Sequence, residues 1–179
     1  MEITNLFFML TFSEAIYAQI KTQYKTQIRS ALDECWSFLE NKNKSGKELY
    51  IHLDDGTDFN GIFIYMQLDN DESNIPLWDN ISYAIAATAK EAYLYEHQIQ
   101  LPSAIENIDS NLLDIFIENL EEINSSFYKC VGEIKKFVGN DHSFSKITAL
   151  NELSKLGLIE LKWGYKNFTN AINLARIMW

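Results

Sequence analysis

Apolar residues recur three and four positions apart along most of the chain, which is the spacing of amphipathic helices. Thr11 and Glu14 form the pattern of a capping box, and behind them Ile16, Ile20 and Tyr24 share one helical face. The apolar run Leu6, Phe7, Phe8, Met9 and Leu10 fits an earlier turn of that same helix. Ile28, Leu32, Cys35 and Leu39, flanked by Ala31 and Trp36, predict a second helix that ends at the polar stretch Asn41, Lys42, Asn43. Ser45 and Glu48 form another capping box, opening a short helix through Leu49 and Leu53 that should stop at the turn signal Asp55-Gly56.

Residues 59–68 suit two readings. Phe59, Phe63 and Met66 fit a helix, while Ile62, Phe63, Ile64 and Tyr65 fit a buried strand; the helix is preferred slightly. Residues 69–74 are polar and read as a loop, after which Pro76 occupies a position tolerated in a helix's first turn. Leu77, Ile81, Ala84, Ile85, Thr88, Ala92 and Tyr95 trace one face of the long helix that follows. Pro102 ends the next connection, and Ser103 with Glu106 makes a third capping-box pattern. Beyond Asp109-Ser110, a long helical pattern runs through Leu113, Ile117, Leu120, Ile123, Phe127, Cys130, Ile134 and Val138 to the stop signal Gly139-Asn140. Ile147, Leu150, Leu153 and Leu156 mark a further helix up to Gly157. Ile159, Leu161 and Trp163 then alternate with Glu160 and Lys162, leaving room for one short strand or hairpin arm, and Phe168, Ile172 and Ala175 return to helical spacing. The expected fold is mainly α, a single-domain bundle of about seven to eight helices spanning residues 1–179.

Composition supports that class. Hydrophobic residues make up 47% of the chain, enough for a large core, whereas seven Gly and two Pro supply too few turns for an all-β sandwich or barrel. Cys35 and Cys130 each fall on an apolar stripe and read as buried free thiols, which suits a reducing compartment. The apolar run near Met1 is too short for a membrane span and lacks the basic flank and cleavage site of a signal peptide, so the expected location is the cytoplasm.

Charge changes the picture most. The net charge of −10 is regional: residues 1–47 carry about +1, residues 129–179 about +4, and residues 48–128 hold sixteen acids against one base, Lys90. Asp54, Asp55, Asp58, Asp69, Asp71, Glu72 and Asp79 follow one another without an intervening Lys or Arg, mostly at turns. Loop carboxylates stay solvated and cast a shared negative field that repels nucleic acid and anionic membrane and attracts a basic protein. The aromatic residues Tyr65 and Trp78 lie among these acids and are the candidate anchors of such an interface. The bland alternative is a solubilising face, or an acidic half neutralised internally by Lys129, Lys135, Lys136, Lys146, Lys155, Lys162 and Lys166.

Catalytic and metal chemistry find little support. Of His52, His97 and His142 no two have metal-ligand spacing; Glu48 and His52 are four apart on one helix face, and a metal there would need further ligands from elsewhere. Neither a nucleophile elbow nor a phosphate-cradling glycine loop is present. The expectation is a binding protein without catalytic residues, metal or cofactor.

The segment from Ala31 to Glu40 (Ala-Leu-Asp-Glu-Cys-Trp-Ser-Phe-Leu-Glu), then Glu48-Leu49-Tyr50, Trp78 with Ala92-Tyr93, and Leu101-Pro102 with Glu106, occur in a familiar order. This order resembles a helical family of immunity proteins from bacterial polymorphic toxin systems, the sixth such family catalogued. The likeness covers roughly residues 28–120 and rests mostly on structural Leu, Trp, Tyr and Pro positions. It implies an intracellular antidote that binds a cognate toxin domain and blocks its active site or its access to substrate. Toxins of this kind are often nucleases with basic surfaces, which an acidic inhibitor can engage by imitating the charge of the substrate. The alternatives are a helical adaptor module with an unrelated partner, and a hydrolase.

Overall fold

The computed structural model describes residues 1–109, 111–140 and 143–161. Among them are nine α-helices and one short 3-10 turn, with no strand: α1 (Ile3–Gln19), α2 (Lys25–Asn41), α3 (Gly46–Tyr50), α4 (Ile62–Leu68), the 3-10 turn Glu72–Asn74, α5 (Ile75–Tyr95), α6 (Ser103–Glu106), α7 (Asn111–Ile123), α8 (Ser125–Gly139) and α9 (Lys146–Lys155). The mainly-α expectation holds. Leu158 to Leu161 form no strand, and the readings placed on His142, Lys162, Trp163, Lys166, Phe168, Ile172 and Ala175 lie outside the described residues. No described helix is long and apolar enough to cross a membrane.

Two helices organise the core. Every residue of α1 from 6 to 16 is buried, as expected of a helix that is apolar all round, and α1 packs against α2, α5, α7, α8 and α9. α5 is the second axis, touching α1, α2, α3, α4, α6 and α7. Polar atoms inside are bonded locally: Thr11 Oγ1 donates to the Phe7 carbonyl at 2.7 Å, Ser13 Oγ to Met9 at 2.9 Å and Thr88 Oγ1 to Ala84 at 2.7 Å. Glu14 is the one buried carboxylate of α1. It receives both Arg29 Nη atoms at 2.8 Å and the Trp36 indole N–H at 2.7 Å, tying α2 to α1.

Several boundaries differ from the sequence expectation, among them the ends of α1 at Gln19, before Ile20 and Tyr24, and of α3 at Tyr50, before Leu53. Thr11 does not start a helix, because burial of the apolar turns before it carries the helix back to Ile3, and its hydroxyl bonds to Phe7 instead of capping. Ser103 is not a cap either; Pro102, extended at ψ 140, takes that position and α6 lasts a single turn. The long pattern of 113–138 breaks into α7 and α8 at Asn124, whose backbone is extended and whose side chain accepts from Ser126 N at 2.9 Å. The Ser45–Glu48 capping box, by contrast, forms with both of its bonds.

Gly46 and Gly61 position α3 and α4. A Cβ on Gly46 would sit 2.4 Å from the Tyr93 ring and 2.7 Å from the Tyr93 backbone N, so α3 can press this closely on α5 only with glycine there. Gly61 adopts φ +111, and a Cβ would lie 2.5 Å from the Leu53 carbonyl oxygen. Next to it, Ile62 N donates to the His52 carbonyl at 2.8 Å and Phe63 N to Leu53 at 3.2 Å. The loop between α3 and α4 is thereby pinned at its base.

Candidate protein-binding surface

α4 is bracketed by two acidic loops. In the first, Asp54 accepts Gly56 N at 2.8 Å, and Asp55 accepts Thr57 N at 3.0 Å, Thr57 Oγ1 at 2.6 Å and Asn60 Nδ2 at 2.8 Å. In the second, Asp69 accepts Asp71 N, Asn74 Nδ2 and Trp78 Nε1, while Asp71 accepts Ser73 N and Ser73 Oγ. These bonds are the reason the loops turn where they do: an Asp side chain that captures an amide two residues on replaces the missing backbone bond. They also keep charge on the surface. Hydrogen bonds from Thr57 and Asn60 hold the Asp55 carboxyl below the usual carboxylate range.

The carboxylates are not neutralised by the described bases. Among the described residues, none of Asp54, Asp55, Asp58, Asp69, Asp71, Glu72 and Asp79 enters an ion pair. Lys136 and Lys155 pair one turn away with Glu133 and Glu152, and Lys146 reaches Asp33 and Glu14. Lys90, the lone base of residues 48–128, donates to the carbonyls of Glu106 and Ile108 at 2.7 Å each, so it caps α6. Asp55, Asp58, Asp71 and Glu72 are exposed, and Asp54, Asp69 and Asp79 are half-buried.

The two aromatic candidates are a correction. Tyr65 is 8% exposed and stacks on Tyr24 with centroids 4.6 Å apart; Trp78 is 1% exposed and donates to Asp69 at 2.8 Å. Both face inward, because α4 and α5 each turn one apolar side to the core and these residues lie on it. The exposed apolar groups of this region are others: Phe59 at 85%, Ile75 at 56% and Leu68 at 51%. Phe59 was readable in principle, since it sits in the run Asp-Asp-Gly-Thr-Asp-Phe-Asn-Gly, where no regular element could bury it.

Sequence reasoning also left out the acids of α7. Asp114, Glu118, Glu121 and Glu122 are exposed on a helix that carries no base. Burial and the charge of Glu122 push the Asp79 carboxyl up, so the acidic field continues from α5 onto α7. The signal was a polar face whose every charged position is acidic.

The remaining candidate chemistry does not assemble. α3 ends before His52, whose Nε2 lies 3.1 Å from Glu34, while Glu48 closes the capping box with Ser45. Among the described residues no group of three or more His, Cys, Asp or Glu stands in an arrangement that could hold a metal. Cys35 is a buried free thiol as expected, but Cys130 is only partly buried.

Comparison with known proteins places the chain by family. Residues 4–123, about two thirds of the chain, match the family model described as immunity protein Imm6. No curated protein and no solved structure matches it.

Proposed function

The chain belongs to the Imm6 family of immunity proteins, whose partner is a cognate toxin, and from that premise we propose that it neutralises the toxin through the acidic surface around α4. The supporting observation is the set of carboxylates on the two loops, fixed by their own turns and engaged by no described Lys or Arg. A surface of this kind speeds encounter with a basic partner and selects against acidic ones. The toxin is a nuclease in this reading: a phosphate-binding active site presents basic side chains, and the carboxylates of the loops occupy them in place of the nucleic-acid backbone. The antidote acts in the cytoplasm, where such a toxin meets its substrate.

Rescue in growing cells tests this directly. A candidate toxic domain, sought among the genes neighbouring that of this chain, is expressed in bacteria with the wild-type chain or with a variant carrying Asp55→Asn, Asp58→Asn, Asp71→Asn and Glu72→Gln. Wild type is expected to restore growth and the variant to protect poorly at matched protein levels. Equal protection by both would remove the acidic surface from the reading, and failure of the wild type to protect would remove the toxin.

A further inference from the structure

We infer that the open groove between α4 and the first turns of α5 is the seat for one large apolar side chain carried on a basic segment of the partner, an inference that rests on the immunity reading above. Phe63, Met66, Gln67, Ile75 and Trp78 line this groove, which encloses about 500 Å³. Ile75, at the start of α5, is more than half exposed. The aliphatic and aromatic lining gives the groove the apolar centre that dominates binding energy at protein interfaces.

The chemistry of the floor dictates an apolar occupant. Two lining side chains carry N–H donors: that of Trp78 is already given to Asp69 at 2.8 Å, while the amide of Gln67 is exposed to solvent. Asp69 is itself held by Asn74 Nδ2 at 3.0 Å, and Asn74 in turn donates to the Lys21 carbonyl at 2.9 Å. The indole is locked before any partner arrives, so an inserted side chain gains from filling the groove over Trp78 and not from satisfying a free indole donor. Met66 supplies an adaptable wall that accommodates side chains of differing shape.

The chemistry of the rim dictates a basic one. Asp71 and Glu72 stand exposed in the loop that joins the two helices, and Asp79 lies one turn along α5 from Ile75. None of them pairs with a base among the described residues. Lysine or arginine flanking the inserted side chain would meet these carboxylates at the edge, where exposed charges govern the rate of encounter, while the buried apolar contact governs the lifetime of the complex.

This division of labour is measurable. Association and dissociation rates with the toxic domain of the rescue experiment are compared for wild type, for Ile75→Ser, for Ile75→Ser with Met66→Ser, and for Ile99→Ser, an exposed apolar residue outside the groove. Serine changes no charge and, at Ile75, suits a helix's first turn, and circular dichroism and melting confirm each variant's fold. The groove variants are expected to dissociate at least about tenfold faster with association within about twofold of wild type, and Ile99→Ser to match wild type. Groove variants that dissociate like wild type from a toxin that wild type binds would overturn the groove and leave the immunity reading standing. A wild-type chain that does not bind the toxin overturns both. A wild-type dimer that Ile75→Ser converts to monomer would make the groove a contact between two copies, and this proposal would fall.

Discussion

The indole Nε1–H of Trp78 donates to Asp69 Oδ2 at 2.8 Å, so two residues that charge and aromatic pattern offered to a partner are engaged first with each other. Removing the acceptor should orphan a buried donor: Asp69→Ala is expected to lose about 1–3 kcal/mol of stability in urea unfolding at neutral pH. Burial pushes the Asp69 carboxyl up, but hydrogen bonds from Trp78, Asp71 N and Asn74 outweigh it and leave the group below its ordinary 3.8. Its contribution is therefore complete above that value and is lost as the pH falls through the lower folded-state value. Wild type should lose stability in that acid window, and Asp69→Asn should lose less; parallel acid titrations of the two would refute the assignment.

Glu14 is the corresponding point in the core. It holds Arg29 in a two-bonded pair and accepts the Trp36 indole, with Lys146 at 3.9 Å. Glu14→Ala leaves the largely buried Arg29 guanidinium with Asp33 at 2.8 Å as its remaining partner and should cost about 3 kcal/mol. Replacing Glu14 and Arg29 together by leucine should recover only part of that loss in the same denaturation assay, because the charge is gone while the buried Trp36 N–H still lacks its acceptor.

The four-residue acidic variant separates binding from folding. Asn keeps the oxygen that Asp55 and Asp71 turn toward Thr57 and Ser73, and only the exposed Asn60 bond to the second Asp55 oxygen is lost, so stability should stay within about 0.5 kcal/mol of wild type. Association with the toxin should slow about tenfold at low salt and converge with wild type as salt rises, because exposed charges act over a Debye length that shrinks from about 10 Å at 0.1 M to about 3 Å at 1 M. Stopped-flow measurements across a salt series decide it.

Asp79 should trade stability for binding. Burial and Glu122 push its carboxyl above the ordinary 3.8, so folding disfavours the charged form. The penalty is absent below pH 3.8, where the group is protonated folded or unfolded, and complete above the raised folded value. Asp79→Asn is expected to raise Tm at pH 7 by about 1–2 °C, to lose that advantage in acid, and to slow toxin association.

The two thiols should react in order. Burial, with Glu34 adding to it, outweighs the Thr88 hydrogen bond and Arg29 and pushes Cys35 up to about 12, whereas Cys130 is partly open to solvent. Alkylation of the native protein followed by peptide mass spectrometry should find Cys130 modified first and Cys35 modified only as the chain unfolds.

Much of the scaffold was legible because helical spacing, a Ser45–Glu48 cap and a proline at the start of α5 are local properties of neighbouring residues. The regional acidity was legible for the same reason, since a carboxylate's charge does not depend on where the chain folds. Long-range packing decided the rest. Burial of residues 6–10 overrode the cap written at Thr11, and the apolar spacing that runs unbroken through Leu120, Ile123 and Phe127 hid the break at Asn124. Spacing showed that Trp78 and Tyr65 lie on a helix face without showing which face meets the core. Only Tyr24, about fifty residues from Trp78 in sequence, and the chain's return at Asp69 turned both aromatics inward and left Phe59 and Ile75 outside. Charge and periodicity belong to the covalent chain, but exposure belongs to neighbours that folding alone brings together.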